Sequence, residues 1–278
     1  MGRWIDDLYH AMYMGQPLAP YAEQPDTDPV MPVFPVTPAW TYNAMIAPIT
    51  MFPVTGSIWY QGETNAARAW EYRDLFPALI ADWRDQWNDP DMPFLYVQLA
   101  NYKTNMQPDG ESTWAELREA QLVTLDVPAT GMAVAIDIGE SADIHPRNKQ
   151  EIGRRLALQA LKVAYGRDIL ASGPLYESMT IRGGEVHLRF TSTGSGLAVR
   201  GGADLTGFTI AGNDHRFRWA SARIEGDEVI VSSDKVADPQ SVRYAWADDP
   251  VGNLINIEGL PASPFRTDNW RAVTQDAE

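Results

Sequence analysis

The sequence holds no cysteine and only four histidines in 278 residues. Disulfides, thiolate nucleophiles and cysteine-based zinc sites are therefore excluded. The histidines are too scattered for a zinc-ligand spacing, so no metal and no cofactor is expected. No apolar run approaches membrane-spanning length, and the opening MGRWIDDLYHAMYMG lacks the apolar core of a signal peptide. Basic residues are few, 22 against 37 acidic, for a formal net charge of −15. Neutralising phosphates requires a basic surface, so neither a nucleic-acid nor a membrane partner is expected. The acidity favours a neutral or weakly polar substrate.

What the chain does have is enough to fold. Hydrophobic residues make up 45% and charged residues 21%, outside the disordered range, and the length suits one large domain or two ordinary ones. Ten tryptophans and eleven tyrosines are many for this length. Aromatic faces stack on sugars, although core packing is their commoner use.

Residues 1–41 read as a connector. A short apolar helix face (Trp4, Ile5, Leu8, Met12) gives way to prolines at 17, 20, 25, 29, 32, 35 and 38, which impose extended, irregular backbone. Nothing there supplies an opening strand. Residues 42–167 then alternate. A short helix at 42–51, stopped by Pro48, precedes strands at 54–61, 93–100 and 131–136. Helices are expected at 66–87, 113–125 and 148–164, the first capped by Thr64 or Asn65 and kinked or divided by Pro77, the second capped by Ser112 or Thr113. Strand–helix alternation implies a parallel sheet with helices on both faces. Three strands are few for such a sheet, so the unit looks incomplete on its N-terminal side. From about 168 to 278 the pattern changes to short strands and turns, with Glu225-Gly226-Asp227 as a hairpin signal, and reads as an antiparallel β-sandwich-like region.

The sharpest local feature is VTGSIWYQGETN, residues 54–65: an apolar run ending at once in Gln61, Gly62, Glu63, Thr64 and Asn65. Ligands of open α/β sheets bind where strands end, although most strand–helix connections have this look without a site. Among the histidines, His187 falls in an alternating strand, His215 in a turn and His10 in the connector. His145 follows the third strand, on the same sheet edge as Gln61 and Gly62, with Asp137, Glu140 and Asp143 just before it. A histidine oriented by a carboxylate is the general-base arrangement of hydrolases.

In order, GSIWYQGETNA, YRDLFPALIADWR, PFLYVQLANY, LREAQ, GMAVAIDIGESADIHPRNKQEIGRRLA, SGPLY, VRYAWADDP and LPASPFRTDNW resemble the sialate O-acetylesterase family of SGNH-type hydrolases, from about Tyr42 to Trp270. The resemblance implies a flavodoxin-like three-layer α/β hydrolase domain followed by β-sandwich material. It implies hydrolysis of acetyl esters on sugars or glycans through a serine acyl-enzyme, and a periplasmic or extracellular setting. Gln61, with Gly62, Glu63 and Asn65 around it, would stabilise the oxyanion or bind substrate, and His145 with Asp143 would be catalytic. Two departures stand out. The acid usually lies three residues before the histidine, where this chain has Ala142. That leaves Asp143, Asp137, Glu140 or a bare Ser–His dyad. The family's early GQSN-type serine block is also absent, so the expectation is a missing N-terminal segment that bears the nucleophile, or recruitment of Ser141. A second copy of the chain is another candidate partner. The alternatives are a non-catalytic carbohydrate-binding protein and a two-carboxylate glycosidase using Glu63 and Glu140.

Overall fold

The computed structural model describes residues 41–276 apart from 104–106, 109 and 203. The expected connector at 1–41 lies almost wholly outside the described residues. The chain divides into two compact units, Met1–Met51 and Phe52–Glu278. The described part of the first is a π-turn, Tyr42–Ile46, followed by a 3-10 turn, Ala47–Ile49. Pro48 sits inside that second turn instead of stopping it, near its start, where a missing N–H costs nothing.

In the second unit, β1 (Ser57–Trp59), β2 (Phe94–Val97) and β3 (Thr130–Ala133) form a parallel sheet in that spatial order. All four residues of β2 are buried, as expected of a central parallel strand. β1 is shorter than its apolar run. Val54 and Ile58 are exposed, and among the described residues β1 pairs only with β2. Three helices cover the sheet: α1 (Ala69–Trp87), α2 (Thr113–Val123) and α3 (Lys149–Val163). Phe94, Tyr96 and Met132 share a core with Tyr72, Phe76 and Ile80 of α1 and Leu117 and Ala120 of α2. Val97 and Ala135 pack with Ile152 and Leu156 of α3 on the other face.

Helix α1 runs through Pro77 without a break. Tyr72, Phe76, Ile80 and Trp83 recur at helical spacing, and Phe76 meets Tyr96 edge-on at 4.9 Å while Trp83 meets Phe94 at 5.8 Å. Burying these rings outweighs the roughly 3 kcal/mol a mid-helix proline costs. Thr64 and Asn65 do not cap α1. A 3-10 segment, Glu63–Arg68, precedes it, and no side chain caps it at Arg68. Ser112 caps α2, accepting from Ala115 N at 3.0 Å, and Asn148 caps α3, accepting from Glu151 N at 3.2 Å.

The remainder is antiparallel. One four-stranded sheet runs β4 (Leu175–Arg182), β5 (Glu185–Thr191), β10 (Glu228–Ser232), β9 (Ser221–Glu225). The other runs β13 (Phe265–Arg266), β11 (Ser241–Tyr244), β7 (Phe208–Ala211), β8 (Arg218–Trp219). A pair, β12 (Leu254–Asn256) and β6 (Leu197–Val199), stands beside them. Val186, Leu188 and Phe190 of β5 and Val229 and Val231 of β10 share a core with Phe208, Ile210, Val242 and Tyr244 of the second sheet. The chain end returns to α2. Arg266 pairs with Glu119 at 2.7 Å, and Thr274 N donates to buried Glu116 at 3.0 Å.

Candidate active site

Because β1, β2 and β3 are parallel, the segments that follow them leave the sheet at one edge. Gln61 and Gly62 follow β1, Asn101 follows β2, and the 137–147 loop follows β3. Lys149, at the start of α3, places its ammonium 4.7 Å from the centre of the Tyr60 ring, linking the helix after the histidine loop to the residue before Gln61.

The turn after β1 is sterically defined. Gly62 has φ 148°, and a Cβ there would stand 2.8 Å from Leu117 Cδ2, so only glycine fits. Gln61 is held at both ends of its amide. Its Oε1 accepts from the Tyr72 hydroxyl at 3.1 Å, and its Nε2 donates to Asn65 Oδ1 at 2.8 Å. That leaves one N–H of Nε2 for a ligand. Burial, reinforced by the charge of Glu63, pushes the Tyr72 hydroxyl up to about 12, so it remains a donor at neutral pH. Gln121, fully buried, ties the same turn to β2, donating to Val97 O at 3.2 Å and accepting from Leu99 N at 2.9 Å. Glu63 opens the 3-10 segment, half-buried.

The three candidate acids separate by their partners. Asp137 is nearly buried and receives Arg155 twice, at 2.6 and 2.9 Å, and Arg200 at 2.5 Å. Burial acts to raise its carboxyl, but these guanidiniums outweigh it and hold the group below the usual aspartate range. Asp137 is thus committed to an ion-pair network. Glu140 accepts from Arg147 N at 2.9 Å. Asp143 is the acid beside the imidazole: its Oδ1 accepts from His145 N at 2.9 Å and lies 3.8 Å from His145 Nδ1. The imidazole is 68% exposed.

The loop that carries His145 is anchored by residues the sequence did not single out. Asp249, in the turn after β11, accepts from Asn101 Nδ2 at 2.7 Å and from the Ser141 hydroxyl. Asn101 Oδ1 accepts from Gly139 N at 2.7 Å, and Lys103 N donates to Ser141 O at 2.9 Å. A Cβ on Gly139 would meet Asn101 O at 2.3 Å, so the loop can lie this close only with glycine there. Asp248 accepts from Ser112, the α2 cap. The only sequence cues were a polar residue immediately after a buried strand, for Asn101, and an acidic pair in a turn, for Asp248 and Asp249. Neither cue names a partner more than a hundred residues away. His187 pairs with Glu228 at 3.0 Å, and His215 stacks on Trp270 at 3.9 Å, both within the β region. Among the described residues no cluster of three or more histidines, aspartates or glutamates could hold a metal, and no helix is long and apolar enough to cross a membrane.

Comparison with known proteins gives a consistent picture. Residues 36–162 match the family model described as carbohydrate esterase, sialic acid-specific acetylesterase. The chain is 30% identical over 259 residues to a sialate O-acetylesterase of Rattus norvegicus, covering 83% of this chain and 47% of the relative. It is 29% identical over 250 residues to the sialate O-acetylesterase of Homo sapiens, covering 81% and 48%. A crystal structure of a carbohydrate acetylesterase from Xanthomonas citri is 52% identical with a TM-score of 0.79, covering 82% of this chain and 54% of that one. The chain spans about half the length of the curated relatives it matches.

Proposed function

We propose that this chain, which belongs to the sialate O-acetylesterase family, takes part in hydrolysing acetyl esters on sugars, with His145 as general base and Gln61 as oxyanion donor. In this reading residues 42–167 are a flavodoxin-like SGNH-type unit and residues 168–278 a β-rich domain. A serine hydroxyl attacks the acetyl carbonyl while the His145 imidazole takes its proton. The proton then passes to the departing sugar oxygen, leaving an acetyl-serine. Water, deprotonated by the same imidazole, releases acetate and restores the serine. At each tetrahedral stage the negative oxygen needs a donor already in place, worth about 3 kcal/mol. The Gln61 amide is such a donor, because Tyr72 and Asn65 fix its plane and leave one N–H unspent. Asp143, whose Oδ1 lies 3.8 Å from Nδ1, would orient the imidazole by closing on it. Gly62, Glu63 and Asn65 shape the turn around the ester.

The observation that carries this reading is the shared edge of a parallel sheet from which the Gln61 turn and the His145 loop both emerge. Ser141 is the serine nearest His145 in sequence, and its hydroxyl must leave the Asp249 carboxylate before it can attack the ester. Two-carboxylate glycosidase chemistry is less well served, because Glu140 is occupied by Arg147. The test is to incubate the protein with O-acetylated sialic acid and with acetylated xylan and assay acetate and reducing ends. The expected result is acetate release without new reducing ends. Glycosidic cleavage, or glycan binding with no acetate, would overturn the reading.

A further inference from the structure

The β-rich region grips the histidine loop at two points. Arg200, directly after β6, sets a guanidinium nitrogen 2.5 Å from Asp137 at the start of the loop. Asp249, after β11, takes the middle: one carboxylate oxygen accepts from the Ser141 hydroxyl and the other from Asn101 Nδ2 at 2.7 Å. Asn101 passes the hold on, its Oδ1 accepting from Gly139 N at 2.7 Å. Between loop and turn lies the chain after β2, where Lys103 N donates to Ser141 O at 2.9 Å and Tyr102 N to Asp248 O at 3.2 Å. Lys103 has φ 62°, a left-handed conformation that residues with side chains adopt at a cost. The Asp249 end is itself fixed, because buried Arg118 donates to Ala247 O at 2.6 Å and to Asp248 O at 2.9 Å.

These bonds lead to the imidazole. Ser141 lies in the 140–143 turn, closed by Asp143 N donating to Glu140 O at 3.1 Å, and Asp143 Oδ1 in turn accepts from His145 N at 2.9 Å. The ring is 68% exposed, so the loop backbone rather than packing sets where it stands. A general base must come within about 3 Å of the group whose proton it takes, and a displacement of about 1 Å can cost about a hundredfold in rate. We propose that Asp249 is a positioning residue for the deacetylation, with Arg200 in support: the β-rich region clamps the histidine loop and so holds the base in place. The catalytic consequence rests on the acetylesterase reading, whereas the clamp on the loop does not.

Two readouts on the full chain test it: steady-state hydrolysis of a soluble acetyl ester, and hydrogen exchange at the amides of Lys103, Gly139 and Asp143 followed by NMR. Asp249→Ala should lower kcat about tenfold to a hundredfold with KM within about threefold, and should quicken exchange at those amides at least about tenfold. Asp249→Asn should stay within about threefold of the parent in kcat, because the amide oxygen still accepts from Asn101 and the amide N–H can donate to the Ser141 hydroxyl. Arg200→Ala should fall between the two, since Arg155 still donates twice to Asp137. Asn101→Ala cuts the same clamp from the β2 side and should reproduce the Asp249→Ala loss, which keeps the test decisive if Asp249→Ala does not fold. Arg223→Ala breaks an exposed pairing with Glu185 elsewhere in the β-rich region and should change neither readout. If the parent releases no acetate, the esterase reading fails and exchange alone decides the clamp. The assignment is overturned if exchange at the three amides is unchanged, or if it quickens while kcat stays within about twofold of an active parent. It is also overturned if Asp249→Asn is as impaired as Asp249→Ala, or if Asp249→Ala is faster than the parent, which would make the carboxylate a restraint on the Ser141 hydroxyl.

Discussion

Replacing His145 by alanine is expected to lower kcat for acetyl-ester hydrolysis about 10⁴-fold or more while leaving the thermal midpoint unchanged. Both halves follow from where the residue sits. Its imidazole is 68% exposed, so the substitution removes little packing, and surface changes of this kind stay within about 0.5 kcal/mol. In the proposed mechanism the chemical loss is large because one imidazole moves the proton in both acyl transfers. Without it the serine attacks as a neutral hydroxyl and the sugar leaves as an alkoxide. Asp143→Asn should cost less, since the asparagine still accepts from His145 N and only the charge beside Nδ1 is lost. Steady-state kinetics on a soluble acetyl ester, with circular dichroism as the folding control, measures both. Turnover in His145→Ala within tenfold of the parent would remove the residue from the mechanism.

The largest stability effect is expected at Arg118. This guanidinium is fully buried, and it donates to Leu99 O at 2.8 Å, Ala247 O at 2.6 Å, Ala100 O at 2.8 Å and Asp248 O at 2.9 Å. Burial pushes it down to about 9, with Asp248 and Asp249 pulling the other way, so it stays charged at neutral pH. Arg118→Met keeps much of the volume but leaves the buried carbonyls of Leu99 and Ala247 without a donor, while Ala100 O keeps Trp114 Nε1 and Asp248 O keeps Tyr102 N. Each orphaned acceptor costs about 1–3 kcal/mol, partly offset because a buried cation no longer needs desolvating. A net loss of about 3 kcal/mol corresponds to a fall of about 8 °C in Tm for a unit of this size. Arg154, half-exposed and paired with Glu151 at 2.7 Å, is the contrast: Arg154→Ala should cost less than about 1 kcal/mol. Thermal scans compare the two, and hydrogen exchange should show the 245–249 turn opening first in Arg118→Met. Arg118→Met melting within 2 °C of the parent would mean that this hub does not join the α/β layer to the β region.

The sequence was informative wherever burial was continuous or periodic. PFLYVQLA reads as a central strand because Phe94 to Val97 are buried without interruption, and α3 reads as a helix because Ile152 and Leu156 recur on one face. The Glu225-Gly226-Asp227 hairpin was equally legible, since Gly226 adopts φ 58° between β9 and β10. Legibility failed where one face meets water. β4 is mostly exposed and shows no apolar period, and the 54–61 run contributes only Ser57–Trp59 to the sheet. Pro77 misled because a local rule lost to ring packing. At the candidate site, the Gln61 turn and the His145 loop could be found from residue type and placement after strands. What fixes them could not: the Tyr72 hydroxyl, the Gln121 amide, the Asp249 carboxylate and the Arg118 guanidinium act on backbone or side chains remote in sequence, and each looks like ordinary helix or turn composition.

A crystal structure of the protein carrying a methylphosphonate on whichever serine the reagent labels tests the central claim most directly, because the phosphonyl oxygen marks where the oxyanion forms. The expected adduct has that oxygen about 3 Å from Gln61 Nε2 and the serine oxygen about 3 Å from a ring nitrogen of His145. An adduct seated away from either group, or acetate release by a protein that the reagent does not label at all, would contradict the account.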